Sequence, residues 1–436
     1  MIVSTGLACA ILVGGFIFLV AMRIPVAFAL GIATIPIVLL DLRLTPFIVL
    51  DRMFQSYNSF ILLAVPFFLL AANLMNSGKI TDKLIDLARV LTGWMPGGLG
   101  HVNVAVSMLF AGISGSSTAD AAGCGKILIP AMVKEGYDTR FAIALTACSS
   151  VMGVIIPPSI LMIVWGGVMQ TSVGALFLAG ATPGLMIGVA LMATVYGYAK
   201  VYDYPIIGKP SLCDIWHAFK GSFLALMTPV LVIGGIVGGI VTPTESAIIA
   251  AGYSLILGMF VYRTVSVRDL GHIFYDTGRF ASISLFAIGT ASAFGWLLAF
   301  FNVPRLIVDF MTSLEFGSFG TALVIAGLFL FFGLFIDAIP TIIILGTVLL
   351  PVATAADIHP IVFAIIGIVS LAFGLVTPPY GLCLLISASI GGMNVVQVMR
   401  DVVIILLPML AILLLIIVFP EIALWLPKMV MPETFN

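Results

Sequence analysis

Long apolar runs separated by short polar breaks dominate the chain and predict a series of membrane-spanning helices. Residues 141–199 contain no Asp, Glu, Lys or Arg, residues 358–399 carry only His359 among acidic and basic side chains, and residues 402–420 are apolar throughout. A helix crosses the hydrocarbon core with about 20 mostly apolar residues. Such runs predict ten crossings, over residues 3–22, 24–42, 57–77, 138–170, 174–199, 224–241, 243–262, 280–301, 360–391 and 398–425.

Two further apolar segments, 98–132 and 318–352, are interrupted near their middles by polar or helix-breaking residues, at 112–118 and 335–341. Non-helical backbone at membrane depth is tolerated only where it is buried in protein or lines a watery cavity. We therefore predict that both segments are re-entrant helical hairpins. Four other stretches mix charged and apolar residues in the pattern of helices lying in the membrane interface; they are 44–56, 79–96, 203–221 and 264–279.

An internal repeat relates the two halves of the chain. A shift of 221 residues gives nine identities in 49 positions without a gap, and most of them are glycine or proline, which fix backbone shape. The matched pairs are Phe110 with Phe331, Gly112 with Gly333, Gly125 with Gly346, Leu128 with Leu349, Pro130 with Pro351, Ser149 with Ser370, Gly153 with Gly374, and Pro157-Pro158 with Pro378-Pro379.

Composition narrows the class of protein. Of 436 residues, 62% are hydrophobic and 8% are charged, against roughly 25% charged in soluble domains, and the mean hydropathy is +1.27. These values exclude a soluble enzyme and a disordered chain, and a net charge of −1 offers no basic surface to nucleic acid. We predict an all-α polytopic membrane protein with two repeats of five spans and one hairpin. Residues 1–222 hold hairpin 98–132 and broken helix 138–170, and residues 223–436 hold hairpin 318–352 and broken helix 360–391.

The distribution of basic residues predicts the orientation. Five crossings per half is an odd number, so the second half enters from the opposite side and the repeat is inverted. Thirteen basic residues fall on the side away from the N-terminus and four on the N-terminal side, which predicts that both termini face the periplasm or the exterior. The four are Arg43, Arg52, Arg305 and Lys428; the thirteen are Arg23, Lys79, Lys83, Arg89, Lys134, Arg140, Lys200, Lys209, Lys220, Arg263, Arg268, Arg279 and Arg400.

Each half also contains a span broken by a Pro-Pro pair, at residues 153–159 and 374–380. Proline removes a backbone donor and frees the carbonyl one turn earlier, and glycine permits unwound backbone. A break of this kind beside a hairpin tip offers the carbonyl oxygens that a dehydrated Na⁺ needs, with Ser or Thr hydroxyls completing the shell. The broken half-helices also aim their positive N-terminal ends at the midplane, which suits an anionic substrate.

Polar residues at the tips sharpen this interpretation. Ser114, Ser116 and Ser117 lie at the first tip, and Asp337 lies at the second, where the repeat places it opposite Ser116. An ionisable group at bilayer depth costs about 2.5–3.5 kcal/mol on insertion scales. We therefore expect Asp337 to contact the substrate or a coupled cation; the alternative is a cap for the helix over residues 338–350.

Three other charged residues keep two interpretations each. Asp120 and Lys126 are six residues apart in the first hairpin and either pair or snorkel toward the cytoplasm, in a structural or a functional role. Glu245 is either a first-turn acid favoured by the helix dipole or part of the cavity lining.

An enzyme is disfavoured. The run Gly112-Ile113-Ser114-Gly115 matches the G-x-S-G of rhomboid-type intramembrane proteases, but such a serine needs a histidine on a neighbouring span, and His101 and His359 fall near predicted span ends. A protease would leave the repeated Pro-Pro pair without explanation. The sequence contains no H-E-x-x-H motif and no Walker loop.

Several motifs together resemble the large membrane subunit of the tripartite ATP-independent periplasmic (TRAP) transporters, over essentially the whole chain. They are Phe-Ala-Gly-Ile-Ser-Gly-Ser-Ser-Thr-Ala-Asp at 110–120, Lys-Ile-Leu-Ile-Pro-Ala-Met at 126–132, Gly-Val-Ile-Ile-Pro-Pro-Ser at 153–159, Val-Thr-Pro-Thr-Glu-Ser at 241–246 and Gly-Leu-Val-Thr-Pro-Pro-Tyr-Gly at 374–381.

The resemblance implies an elevator-type transporter that is coupled to Na⁺ and uses no organic cofactor. It implies two partner proteins, a small four-helix membrane subunit and a soluble periplasmic binding protein, and an organic acid substrate such as sialic acid or a C4-dicarboxylate. The implied sodium ligands are Ser114, Gly153, Pro158, Gly333, Gly374 and Thr377. The implied substrate contacts are Ser116, Ser117, Ser159 and Asp337. A stand-alone divalent-anion/sodium symporter and a channel are the competing hypotheses.

Overall fold

The computed structural model describes residues 3–78, 80–314 and 316–435, and within these ranges the regular structure is helical throughout. The first five helices match predicted segments closely. They are Thr5–Ala21 (α1), Val26–Leu40 (α2), Ile48–Tyr57 (α3), Ala64–Ser77 (α4, entered through a 3₁₀ turn at Phe60–Leu63) and Ile80–Thr92 (α5).

The segments predicted as the first hairpin and the first broken span are helical and are interrupted at the predicted places; the re-entrant course of residues 98–132 stays a prediction. The hairpin arms are Gly98–Ser114 (α6) and Ser117–Lys134 (α7). The span after them consists of Thr139–Ser150 (α8), Met152–Ile155 (α9) and Ile160–Met169 (α10), with a bend of 41° at the break. The long helix Val173–Tyr202 (α11) follows.

The middle of the chain differs from the prediction. Residues 203–221 and 224–241 were expected as an interfacial helix and a span, but Leu212–Val237 (α12) is one helix, and Val267–Phe300 (α14) likewise joins 264–279 to 280–301. Change of polarity does not end a helix, and neither junction contains a residue that breaks the hydrogen-bond ladder. Between them lie Pro243–Ile256 (α13) and a π turn at Leu257–Val261; Val303–Ser313 (α15) was not predicted.

The last part contains the second hairpin and the second broken span. The hairpin arms are Ser318–Gly333 (α16) and Ala338–Ala355 (α17), and the broken span consists of Pro360–Gly374 (α18) and Leu382–Ile390 (α19). The predicted span 398–425 is divided by Pro420 into Val395–Val418 (α20) and Glu421–Val430 (α21), before a 3₁₀ turn at Pro432–Phe435.

Fewer helices than ten are long enough to cross a membrane by themselves. In the described residues seven helices pass on length and apolar character, or eight if the bent α8–α10 pair counts as one span. The eight include α17, an arm of the second hairpin, so seven of the ten predicted spans pass. The other three are short, because α1, α2 and α18 have 17, 15 and 15 residues.

The offset of 221 residues also relates helix bounds. Both ends of α7 and of α17 differ by that number, as do the first residues of α8 and α18. The bonds Pro157-Pro158 and Pro378-Pro379 are both cis. The two halves therefore share an order of elements, whereas their inverted orientation stays a prediction.

The helices pack in two groups. In the first helix group, α1–α5 with α12–α15, α4 packs on α13 and α14 packs on α2 and α3; in the second helix group, α6–α11 with α16–α21, α16 packs on α18, and α7 and α20 pack on α8. Side-chain hydrogen bonds join helices inside each group, such as Asn73 Nδ2 to Thr277 Oγ1 at 2.9 Å and Trp425 Nε1 to Thr182 Oγ1 at 3.1 Å.

The contact between the two groups has a different character. The groups meet where α4, α5 and α12 pack on α6 and where α14 and α15 pack on α17, with smaller contacts of α10 on α4 and of α11 on α12. Among the described residues of these helices, no side-chain hydrogen bond or ion pair joins one group to the other. Glycines lie at the contact: a Cβ on Gly112 would be 3.3 Å from Pro229, and one on Gly295 would be 3.3 Å from Thr347.

A charged clamp fixes the start of the chain. The side chain of Asp41, just beyond α2, is fully buried and accepts hydrogen bonds from the Val3 amide at 3.0 Å and from Arg43 Nη2 at 2.7 Å. The Arg43 guanidinium lies over the rings of Phe300 and Phe301, at 5.3 and 5.5 Å from their centroids. The clamp therefore ties the N-terminus to the end of α14.

We expect Asp41→Asn to lower the melting temperature of the purified protein at neutral pH. Hydrogen bonds from Arg43 hold the pKa of the Asp41 carboxyl well below its usual range. A depressed pKa in the folded state stabilises the fold above the unfolded-state pKa of about 3.9, and this contribution is lost as the pH falls. Thermal unfolding from pH 7 down to about pH 2.5 should show the difference from wild type narrowing once the pH falls below about 4, and Asp309→Asn, an exposed carboxylate on α15, should have no effect.

Candidate functional site

The tip of the first hairpin lies against the break in the first broken span. We call this contact the first crossing, as distinct from a crossing of the membrane. Gly115 adopts left-handed backbone with a φ of +61°, and its carbonyl accepts a hydrogen bond from the Ile160 amide at 3.2 Å. A Cβ on Gly115 would lie 2.8 Å from the Pro158 carbonyl oxygen. Only glycine fits this position, because its φ and its distance to the neighbouring backbone both exclude a side chain.

Gly153 makes the second backbone contact of this first crossing. A Cβ there would lie 2.9 Å from the Ser116 carbonyl oxygen and 3.1 Å from the Ser117 amide. The unwound residues of hairpin and span therefore bring carbonyl oxygens together, as the glycine and proline pattern predicts.

Some of the serine hydroxyls at the first crossing make hydrogen bonds within the protein. Ser116 Oγ accepts from the Ala119 amide at 3.4 Å, and Ser159 Oγ accepts from the Met162 amide at 3.3 Å, so each serine caps the helix that follows it. Ser159 Oγ also donates to the Val154 carbonyl at 2.6 Å. Ser114 and Ser117 are buried, and the Ser117 hydroxyl has no hydrogen-bond partner among the described residues.

The second crossing, between the tip of the second hairpin and the break in the second broken span, repeats the close approach of the two backbones. A Cβ on Gly374 would lie 2.7 Å from the carbonyl carbon of Gly333 and 2.8 Å from the Leu330 carbonyl oxygen. Thr377 Oγ1 donates to the Phe373 carbonyl at 2.7 Å within the break. The predicted residues Gly333, Gly374 and Thr377 are thus brought to one place.

Asp337 lies at the N-cap position of α17, but its carboxylate makes no capping hydrogen bond. Its backbone carbonyl accepts from Thr341 Oγ1 at 2.8 Å, and its side chain is exposed. The geometry therefore gives no support to a capping role for the carboxylate and leaves it free to meet a ligand.

The carboxylate of Asp337 faces a cavity of about 740 Å³ at the second crossing. Gly333 and Tyr380 line the same cavity, and so does Arg23 from the turn between α1 and α2. Sequence reasoning used Arg23 only as a marker of orientation, because nothing local connects a residue in the first turn of the chain with the second hairpin.

The open alternatives for the other charged residues are resolved. Lys126 is exposed while Asp120 is buried, and the two form no ion pair. Glu245 Oε2 accepts from the Thr242 amide at 2.7 Å in a capping box at the start of α13, so it is a first-turn acid. The Ser114 hydroxyl accepts a hydrogen bond from the Ser116 amide at 3.5 Å, and among the described residues no histidine bonds to it.

Comparison with known proteins identifies the family. Residues 13–422 match the family model described as "Tripartite ATP-independent periplasmic transporter, DctM component". The chain is 36% identical to the sialic acid TRAP transporter large permease protein SiaM of Vibrio cholerae, covering 95% of this chain and 97% of that protein. It is 37% identical to the sialic acid TRAP transporter permease protein SiaT of Haemophilus influenzae, over 98% of this chain and 69% of that protein.

A further relative, the C4-dicarboxylate TRAP transporter large permease protein DctM of Pseudomonas aeruginosa, is 34% identical over 86% of this chain and 88% of its own length. Among solved structures, the YdaH transporter of Alcanivorax borkumensis superimposes with a TM-score of 0.60 at 14% identity, over 85% of this chain and 86% of that one. This likeness concerns the fold alone. The relatives are transport proteins and not enzymes, and the chain belongs to the DctM component family of the tripartite ATP-independent periplasmic transporters.

Proposed function

We propose that the chain is the subunit that moves an organic acid across the bacterial inner membrane together with Na⁺. The observation that carries the proposal is the pair of crossings, each made of a hairpin tip against a broken span. Both are built from closely packed backbone at glycines, and one has a free carboxylate facing a cavity.

Sodium suits the oxygen atoms present. The first crossing offers the carbonyls near Gly153 and Pro158 with the hydroxyl of Ser114, and the second offers the carbonyls near Gly333 and Gly374 with Thr377. Hard cations of this kind take carbonyl and hydroxyl oxygens in discontinuous helices of transporters. The orphan hydroxyl of Ser117 beside Gly153 fits a polar ligand at this place.

The helix directions suit an anionic substrate. Helices α7 and α10 both begin at the first crossing, and α17 and α19 begin at the second. Four N-terminal ends therefore bring positive partial charge and unpaired amides to one region, where a carboxylate binds favourably. Ser116, Ser117, Ser159 and Asp337 are the side chains that we assign to the substrate.

Two features favour an elevator motion of the second helix group against the first. Their contact contains glycines and, among the described residues, no side-chain hydrogen bond, so sliding breaks few polar contacts. The cavity at Asp337 also includes Arg23, which the charge distribution assigns to the cytoplasmic side. In this conformation the site faces the cytoplasm, with both termini in the periplasm and the two repeats inverted.

The partners and the substrate class follow from the family. A DctM component works with a small membrane subunit and with a periplasmic binding protein that delivers the substrate. Sialic acid and C4-dicarboxylates are the substrate classes named for the relatives above. Because a binding protein selects the substrate first, the cavity in this chain needs only to accept an organic anion.

Uptake into proteoliposomes should require external Na⁺. The chain is reconstituted with its small membrane subunit, and labelled organic acid is supplied with the binding protein in Na⁺ or in K⁺ buffer. We expect uptake only with Na⁺ and only with the binding protein. Equal uptake in K⁺ would refute sodium coupling. Uptake by the chain without the small membrane subunit and the binding protein would favour a stand-alone symporter. A flux that does not saturate with substrate would favour a channel.

A further inference from the structure

One buried carboxylate in the first hairpin is not used by the site described above. Asp120 lies in the first turn of α7, is 0% exposed, and neither of its carboxylate oxygens has a hydrogen-bond partner among the described residues. Burial of an unpaired charge costs several kcal/mol, and removal from water is repaid only by a close opposite charge. A carboxyl in this position is therefore either protonated or balanced by a nearby cation.

The protein does not supply that cation. The side chains around Asp120 are Ser107 on α6, Cys124 one turn further along α7, and Cys383 on α19, and none of them carries positive charge. The Ser107 hydroxyl is engaged elsewhere, since it donates to Ser149 Oγ at 3.1 Å. In the described residues, the three ion pairs all lie outside this hairpin.

The first crossing lacks an anionic side chain for the cation that we assign to it. Its oxygen atoms belong to carbonyls and serine hydroxyls, which carry no formal charge, whereas the second crossing has Asp337. A cation that binds at the first crossing before the substrate arrives would therefore have no anionic side chain beside it. Ser117 connects the two places, because its amide packs against Gly153 and its side chain is on the same helix face as Asp120, three residues further on.

We propose that Asp120 is the buried counter-charge of the sodium ion at the first crossing, and that it acts through space rather than as a ligand. The inference rests on the sodium coupling proposed above. It explains two observations together: Asp120 has no hydrogen-bond or ionic partner, and the proposed cation site has no anionic side chain. The two places lie about one helical turn apart along α7. Asp120 is thus a positioning residue for the cation.

The test measures the Na⁺ requirement of Asp120→Asn in the reconstituted transporter. Loss of the charge should raise the Na⁺ concentration for half-maximal uptake roughly tenfold or more, the size expected for charges this close at an effective dielectric near 20. Asp120→Glu, which restores the charge, should recover much of the affinity. Asp86→Asn, an exposed carboxylate on α5, is the matched control and should leave the requirement unchanged.

Thermal unfolding of the purified protein separates this role from a structural one. Without Na⁺, Asp120→Asn removes an unpaired buried charge, so it should be at least as stable as wild type, and the stabilisation by added Na⁺ should shrink. A variant that is less stable in both conditions with an unchanged Na⁺ effect would overturn the proposal. If Asp120→Asn does not fold, an unchanged Na⁺ requirement in a folded Asp120→Ser would overturn it equally.

Different results would refute the proposed sodium coupling and the role of Asp120. Wild-type uptake that ignores Na⁺ would refute the proposed function. Wild-type uptake that needs Na⁺, together with an Asp120→Asn requirement equal to that of wild type, would refute the role of Asp120 alone.

Discussion

Replacing Asp337 with asparagine should reduce uptake of the organic acid at least a hundredfold while the protein still assembles. The carboxylate faces the cavity and caps no helix, so the substitution keeps the shape and removes the charge at the ligand. An ionisable side chain at membrane depth is costly and is retained for a ligand or an ion pathway. Uptake into proteoliposomes measures the loss, and size-exclusion chromatography with the small membrane subunit measures assembly.

A matched control lies at the other end of the same helix. Asp357 is exposed just after α17 and has a φ of +57°, which asparagine also tolerates. Asp357→Asn should transport normally. Full uptake by Asp337→Asn would show that the carboxylate has no part in transport, whatever its exposure.

Gly374→Ala should lower uptake about tenfold or more, with a raised Na⁺ requirement. Its new Cβ would lie 2.7 Å and 2.8 Å from backbone atoms of Gly333. Backbone cannot turn aside as a side chain can, so the hairpin tip must move away from the broken span, and overpacking of this kind costs about 1–3 kcal/mol. The displaced atoms include the carbonyls assigned to the second sodium ion.

Gly327 provides the comparison within the same hairpin. A Cβ at Gly327 meets nothing within 4 Å, and the residue lies inside helix α16, where alanine is favoured over glycine. Gly327→Ala should therefore keep full uptake and fold at least as stably. Equal activity of both alanine variants would mean that the second crossing tolerates separation and does not hold the ion.

The sequence predicts the helical arms of the two hairpin segments well because their signals are local. Predicted segments 98–132 and 318–352 lie within a few residues of the observed arms α6–α7 and α16–α17, since each tip is marked by polar or helix-breaking residues between two apolar runs. The joining of an amphipathic start to an apolar span in α12 and α14 was missed for a related reason. Polarity marks depth in the membrane and not the end of a helix.

The site was predictable in its parts and not in its arrangement. Glycine and proline at 153–158 and 374–379 indicate unwound backbone, and the repeat indicates that it occurs twice. That Gly153 contacts Ser117, that Arg23 shares a cavity with Asp337, and that Asp120 has no partner depend on packing between distant helices. Periodicity in one segment carries no information about such pairs.

The contact between the two helix groups has a consequence for the speed of transport. The contact consists of apolar and glycine surfaces, which can exchange one neighbour for an equivalent one when the groups slide. Between the described parts, no buried side-chain hydrogen bond has to break during such a movement. In the elevator motion proposed above, resistance would then come from the lipids that rearrange around the second helix group and from the loops that connect it to the first. The proposed motion therefore predicts that membrane thickness and fluidity change the rate of transport.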